Sequence, residues 1–244
     1  MNLSTTIFRL ISVFLPLSVV LAPDSTTKVW AEYQVVASFE PPPGQPVPRD
    51  TVGAGSRPLE TACLSTPSAT SGSLTALSPG RHLGLTQVDR PNFLVYKPQT
   101  KAETAEFSLF DEQMNGIYQV SISVSKQAGL VRIHLPDTAP SLLKDKPYYW
   151  TLALVCNSTD RTEDLVVGGW IQHTQLNDNL KQQLANVAAV EKVSLYAKQG
   201  FWYDALNILV ELQRTEPNNP KLAATRAELL KSVSLDAIAT KLLE

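Results

Sequence analysis

The hydrophobic period of this 244-residue chain changes once, near Thr174, and that change divides what the chain can fold into. Between Leu74 and Thr174, short segments rich in β-branched and aromatic residues recur between Pro, Gly, Asn and Asp. Such segments suit a pleated, half-buried surface. Strands are expected at Leu74–Leu77, Leu83–Val88, Asn92–Tyr96, Ala105–Asp111, Ile117–Val124, Leu130–Leu135, Tyr148–Cys156 and Leu165–His173. In the fifth, Tyr118, Val120, Ile122 and Val124 alternate with Ile117, Gln119, Ser121 and Ser123, so the first set faces the core. In the sixth, Val131, Ile133 and Leu135 form the dry face and Leu130, Arg132 and His134 the wet one. Asn115-Gly116 supplies a hairpin turn. Tyr148–Cys156 is apolar on both faces, as a central strand must be.

Seven or eight short strands without intervening helices make the expected fold mainly β. They predict an immunoglobulin- or fibronectin-like antiparallel sandwich over residues 63–174. After Thr174 the apolar spacing becomes three or four. Leu176, Leu180, Leu184, Val187 and Glu191 trace one helical stripe, and Gly200 ends that helix. A second helix carries Ala205, Leu206, Leu209 and Leu212 and stops before Pro217 and Pro220. A third over Lys221–Ser232 and a short fourth from Ser234 complete a helical tail of three to four helices over residues 175–244.

At the other end, the uncharged run Leu10–Ala22 follows the single cation Arg9 and is short and interrupted by Pro16. It reads as a secretory signal peptide over residues 1–31, not a membrane span. Cleavage fits after Ala22 or Ala31; Pro23 disfavours the first, which places the mature start at Glu32 and the protein in the periplasm or outside the cell. Losing Arg9, Asp24 and Lys28 leaves nineteen basic and twenty-two acidic side chains, a formal charge of −3. That charge attracts neither nucleic acid nor an anionic membrane. Residues 32–62 form a proline-rich irregular lead-in, since Glu40–Pro48 favours polyproline II. The glycines of Arg49–Arg57 make a tight turn, because no Gly-Lys-Ser/Thr ending turns them into a phosphate loop.

Two cysteines remain, Cys63 and Cys156, and an oxidising compartment makes them a disulfide that ties the central strand to the segment around Cys63. Neither CxxC nor HxxxH spacing is present, so no metal or other cofactor is expected. His134 and His173 read as solvated strand residues, and no GxSxG, HExxH or paired-carboxylate pattern suggests an enzyme. Asp160–Asp164 is the densest charged loop and is read as a solvated turn in which Arg161 pairs with a carboxylate, in preference to a calcium site. Phe201, Trp202 and Tyr203 have two readings. They are either exposed anchors for a partner, or the residues that pack the helices onto the sandwich.

Two resemblances follow from these residues. Ala197–Leu206, with Tyr196, Leu209, Leu212 and Glu216-Pro217-Asn218-Asn219-Pro220, resembles the second half of a tetratricopeptide repeat over residues 196–220. One unit cannot bury its own apolar face, so the resemblance implies packing on the sandwich, on the fourth helix or on a partner. Gly53–Arg57, Cys63, Leu74–Leu77, Arg90–Tyr96, Glu106–Asp111, Cys156–Arg161 and Gly168–Ile171 together resemble the cyanobacterial exported family known as domain of unknown function 928. That resemblance implies export and an envelope setting and no activity. The expected function is a non-enzymatic protein-interaction or scaffold module of the bacterial envelope. It would contact another exported protein, or a second copy through the helical tail. The alternative is a glycan- or cell-wall-binding module using Phe93, Tyr96, Phe107 and Tyr118.

Overall fold

The computed structural model describes residues 37–44, 63–64 and 72–239. The signal peptide, both cleavage positions and the glycine turn at Arg49–Arg57 lie outside the described residues. All eight expected strands form: β1 Thr75–Ala76, β2 Leu83–Thr86, β3 Asn92–Lys97, β4 Thr104–Phe110, β5 Gly116–Ser123, β6 Gly129–His134, β7 Pro147–Leu154 and β8 Leu165–His173. They are followed by the helices α1 Asp178–Ala185, α2 Ala189–Lys198, α3 Trp202–Thr215, α4 Pro220–Lys231 and α5 Asp236–Ala239. Strand and helix each hold 29 % of the described residues, so the fold is mixed and not mainly β.

The strands make two sheets, one in the order β1-β3-β6 and one in the order β2-β8-β7-β4-β5. Every pairing is antiparallel except β2 with β8, which run parallel with Leu83 opposite Trp170. A parallel pair needs a long crossover, and here the five strands between β2 and β8 supply it. This pair departs from an all-antiparallel arrangement, and the strand order does not confirm an immunoglobulin or fibronectin sandwich. The sheets face each other through aromatic rings: the Phe93 centroid on β3 lies 4.9 Å from Phe107 on β4 and 5.1 Å from Trp150 on β7.

Strand β7 sits between β8 and β4 and has Tyr148, Tyr149, Trp150, Leu152, Ala153 and Leu154 buried, as its two apolar faces require. At the sheet edge, β5 keeps its alternation, but Tyr118, Val120 and Ile122 are only half-buried because a single neighbour covers them. The β4–β5 turn bends at Met114, whose φ is 64°, and not at Asn115-Gly116. Asp111 holds it, its Oδ1 accepting from the N–H groups of Gln113 at 2.9 Å and Asn115 at 2.8 Å. The disulfide Cys63–Cys156 is present, and Thr100 donates its hydroxyl to the Cys63 carbonyl at 2.7 Å.

The first expected helix is two helices. Asn186 ends α1 by donating its N–H to Gln183 O and its side-chain amide to Gln182 O. Glu191 then reaches back to the Ala188 N–H to start α2. The stripe Leu180–Leu184–Val187–Glu191 stays in helical register across this break, which hides it from a reading by period alone. Gly200, at φ 80°, ends α2 in the left-handed conformation that glycine adopts without a Cβ penalty. One continuous core runs from Phe93, Phe107 and Trp150 in the sheets to Trp202, Leu209 and Leu229 in the helices. Residues 35–244 accordingly form one compact unit, and the helices are not an appendage.

Candidate functional site

The start of α3 is where the sheets and helices are joined. Trp202 donates its indole N–H to Leu77 O at 2.8 Å, and Leu85 of β2 donates its backbone N–H to Gly200 O at 2.8 Å. Trp150 donates to the Tyr203 hydroxyl at 2.8 Å, which donates in turn to Trp170 O at 3.1 Å. Phe201, Trp202 and Tyr203 are 5 %, 0 % and 1 % exposed. The reading of this aromatic run as partner anchors is therefore corrected: the three residues pack the helices onto the sheets and present no surface. Burial also pushes the Tyr203 phenol far above its ordinary pKa.

Beside this joint, the segment linking β2 to β3 and the first turns of α3 leave a cleft of about 260 Å³, lined by both polar and apolar side chains. Its walls include Gln87, Arg90, Asn92, Asp204 and Asn207, with Val88, 44 % exposed, at the rim. Asp204 is buried, and burial pushes its carboxyl up to about 6; hydrogen bonds from Gln87 and Thr86 oppose that shift without cancelling it. The Gln87 backbone N–H reaches its Oδ2 at 3.1 Å, while the Gln87 amide donates to the Tyr196 hydroxyl at 2.7 Å.

Asn207 donates its amide to Tyr203 O at 2.8 Å and Asn92 O at 3.3 Å, which fixes the orientation of that amide. Its Oδ1 is then left buried without a partner, and so is Nε of Arg90. Arg90 otherwise donates to Asp137 O and Ala139 O, both at 3.4 Å, and lies 3.7 Å from the Asp89 carboxylate. Buried polar groups are normally satisfied, so one spare acceptor and one spare donor on the same cleft need an explanation.

A match to the family described as Domain of Unknown Function (DUF928) covers residues 52–243. The chain belongs to the DUF928 family. The matched DUF928 region contains all eight strands, α1 to α5 and the whole cleft, whereas residues 37–44 precede it. No curated protein matches the chain.

Elsewhere in this DUF928 fold, Asp160–Glu163 are exposed and Arg161 pairs with Glu106 and with Asp164, whose carboxylate is tucked under the turn and also accepts from the Cys156 N–H. Asp160 caps it by accepting from Thr162. Among the described residues no group of three or more His, Cys, Asp or Glu is placed to hold a metal ion. His134 is exposed beside Asn92 Oδ1 at 3.0 Å, and His173 is half-buried at 3.2 Å from Leu142 O. Of the aromatics considered for sugar stacking, Phe93, Tyr96 and Phe107 are buried; only Tyr118 reaches the surface.

The cleft residues Asp204, Asn207 and Arg90 were not singled out by the sequence reading. One signal was available: Asp204 is the single charge in the apolar run Phe201–Leu206. An acid inside such a run is either out of helical register with the core or buried for a reason.

Proposed function

We propose that this DUF928 protein is an exported, non-enzymatic interaction module of the cell envelope that holds a peptide segment of a partner in the cleft beside Asp204. The observation that carries this reading is the pair of unpartnered atoms, Asn207 Oδ1 and Arg90 Nε. Both residues line the cleft, and an acceptor with a donor is the complement of one residue's backbone, which offers one N–H and one C=O. Asn92 and Gln87 line the same cleft, and Val88 gives an apolar contact at the rim. Export is supported by the apolar leader and is compatible with the Cys63–Cys156 disulfide. The two facing sheets serve as a sandwich-type scaffold. Residues 196–220, which include the Gly200 turn and α3, serve as the second half of a repeat of tetratricopeptide type.

Selection of a displayed random-peptide library against the oxidised mature protein tests this reading, with a glycan array run in parallel. Peptides that are retained, and lost with Asn207→Leu and Arg90→Ala, support it. No enrichment, or enrichment indifferent to both substitutions, overturns it. Retention of glycans alone replaces it with the carbohydrate reading.

A further inference from the structure

A groove on the helices is covered by the chain's own N-terminal segment. Residues 37–43 run across the α2–α3 turn and the end of α4. Ala37 donates its backbone N–H to Glu228 Oε2 at 3.3 Å, Phe39 to Ser232 Oγ at 3.0 Å and Glu40 to Ala197 O at 3.1 Å. Backbone groups of the segment thus make the polar contacts, the mode by which grooves hold extended peptides with little regard to sequence. Selectivity comes from two side chains. Phe39, 6 % exposed, sets its ring edge-on to Trp202 with centroids 5.5 Å apart. Pro42 lies against Gly200, where an added Cβ would come within 3.0 Å of the proline ring.

We infer that this groove is a peptide-recognition site filled in cis by residues 37–43, and that the same segment of a second copy fills it in trans. The groove lies within the DUF928 match at residues 52–243, while its occupant precedes that match. Eighteen residues, Gln45–Ala62, separate the docked segment from Cys63. Fully extended they reach ~60 Å, enough to deliver the segment to a neighbouring molecule. The expected cleavage after Ala31 leaves a short free end, so nothing needs to be threaded. Exchange of an identical element between copies keeps every contact and costs little. This inference is independent of the cleft beside Asp204.

The test uses the mature full-length chain and a capped, fluorescent peptide of the sequence Ala37–Pro43. Phe39→Glu empties the groove, and the peptide is expected to bind it saturably, while wild type binds about tenfold more weakly because its own segment competes. Native mass spectrometry at rising concentration is expected to show a wild-type dimer that excess peptide dissolves and Phe39→Glu lacks. A folded Phe39→Glu protein that ignores the peptide overturns the groove; a wild type monomeric throughout, or a dimer indifferent to peptide, overturns the exchange. If Phe39→Glu does not fold, wild-type hydrogen exchange decides. The Ala37, Phe39 and Glu40 amides are expected to open well before those of Trp150 and Leu152, and opening only with the whole fold overturns the proposal.

Discussion

Trp150 of β7 donates its indole N–H to the hydroxyl of Tyr203 on α3 at 2.8 Å, and both side chains are fully buried. The bond crosses from the middle of the five-stranded sheet to the first turn of the second helix of the helical hairpin. With Trp202 bonded to Leu77 O, it makes sheet and helix parts of one body. The Tyr203 ring also meets Phe93 of the other sheet, with centroids 6.1 Å apart.

Tyr203→Phe keeps the ring and removes the hydroxyl that serves both Trp150 and Trp170. The Trp150 indole N–H is then buried without a partner. Stability is expected to fall by about 1–3 kcal/mol, the cost of an unsatisfied buried donor, as measured by chemical denaturation.

Gly84 on β2 lies so close to α3 that an added Cβ would stand 2.7 Å from Tyr203 Cε2. Tyr203 is held by two hydrogen bonds and cannot step aside. Gly84→Ala is therefore expected to destabilise by about 1–3 kcal/mol through overpacking, against the small gain such a change brings by stiffening the unfolded chain. A lowered thermal midpoint reads it out.

Reducing Cys63–Cys156 releases a link across 93 residues of sequence. The double variant Cys63→Ala, Cys156→Ala is expected to lose about 2–5 kcal/mol relative to the oxidised protein. Reductant is expected to lower the wild-type midpoint and to leave that of the variant unchanged.

Asp204 gives stability a pH dependence of unusual sign for a carboxylate. Its carboxyl rises from 3.8 to about 6 on folding, with burial as the main cause, so between those values the folded protein binds more protons than the unfolded chain. The stabilisation is full below the unfolded value and is lost as pH rises through about 6. Asp204→Asn removes this dependence. Its stability relative to wild type is expected to rise by up to about 3 kcal/mol between about pH 4 and pH 8, measured by denaturation across pH.

Strand positions were legible because each strand carries its own local pattern: β5 and β6 alternate, and β7 is apolar throughout. Strand order was not, because pairing β2 with β8 depends on contacts nearly ninety residues apart, such as Leu83 opposite Trp170. The disulfide was legible because two cysteines allow one intramolecular pairing. Of the two readings of Phe201–Tyr203, the packing one describes the molecule. Nothing in the run itself says which way it faces; that is decided by Leu77, Trp150 and Trp170, all distant in sequence. The cleft was illegible for a related reason. Asp204, Asn207 and Arg90 are ordinary residues until folding buries one carboxyl and leaves two polar atoms without partners.

The most direct check on a single shared core is residue-resolved unfolding of the oxidised mature protein, following backbone amides of β7 and of α3 through the same denaturant series. The core that joins Trp150 to Tyr203 predicts that both sets are lost together, at one midpoint. Loss of the α3 amides at a clearly lower denaturant concentration, with β7 still protected, would contradict it.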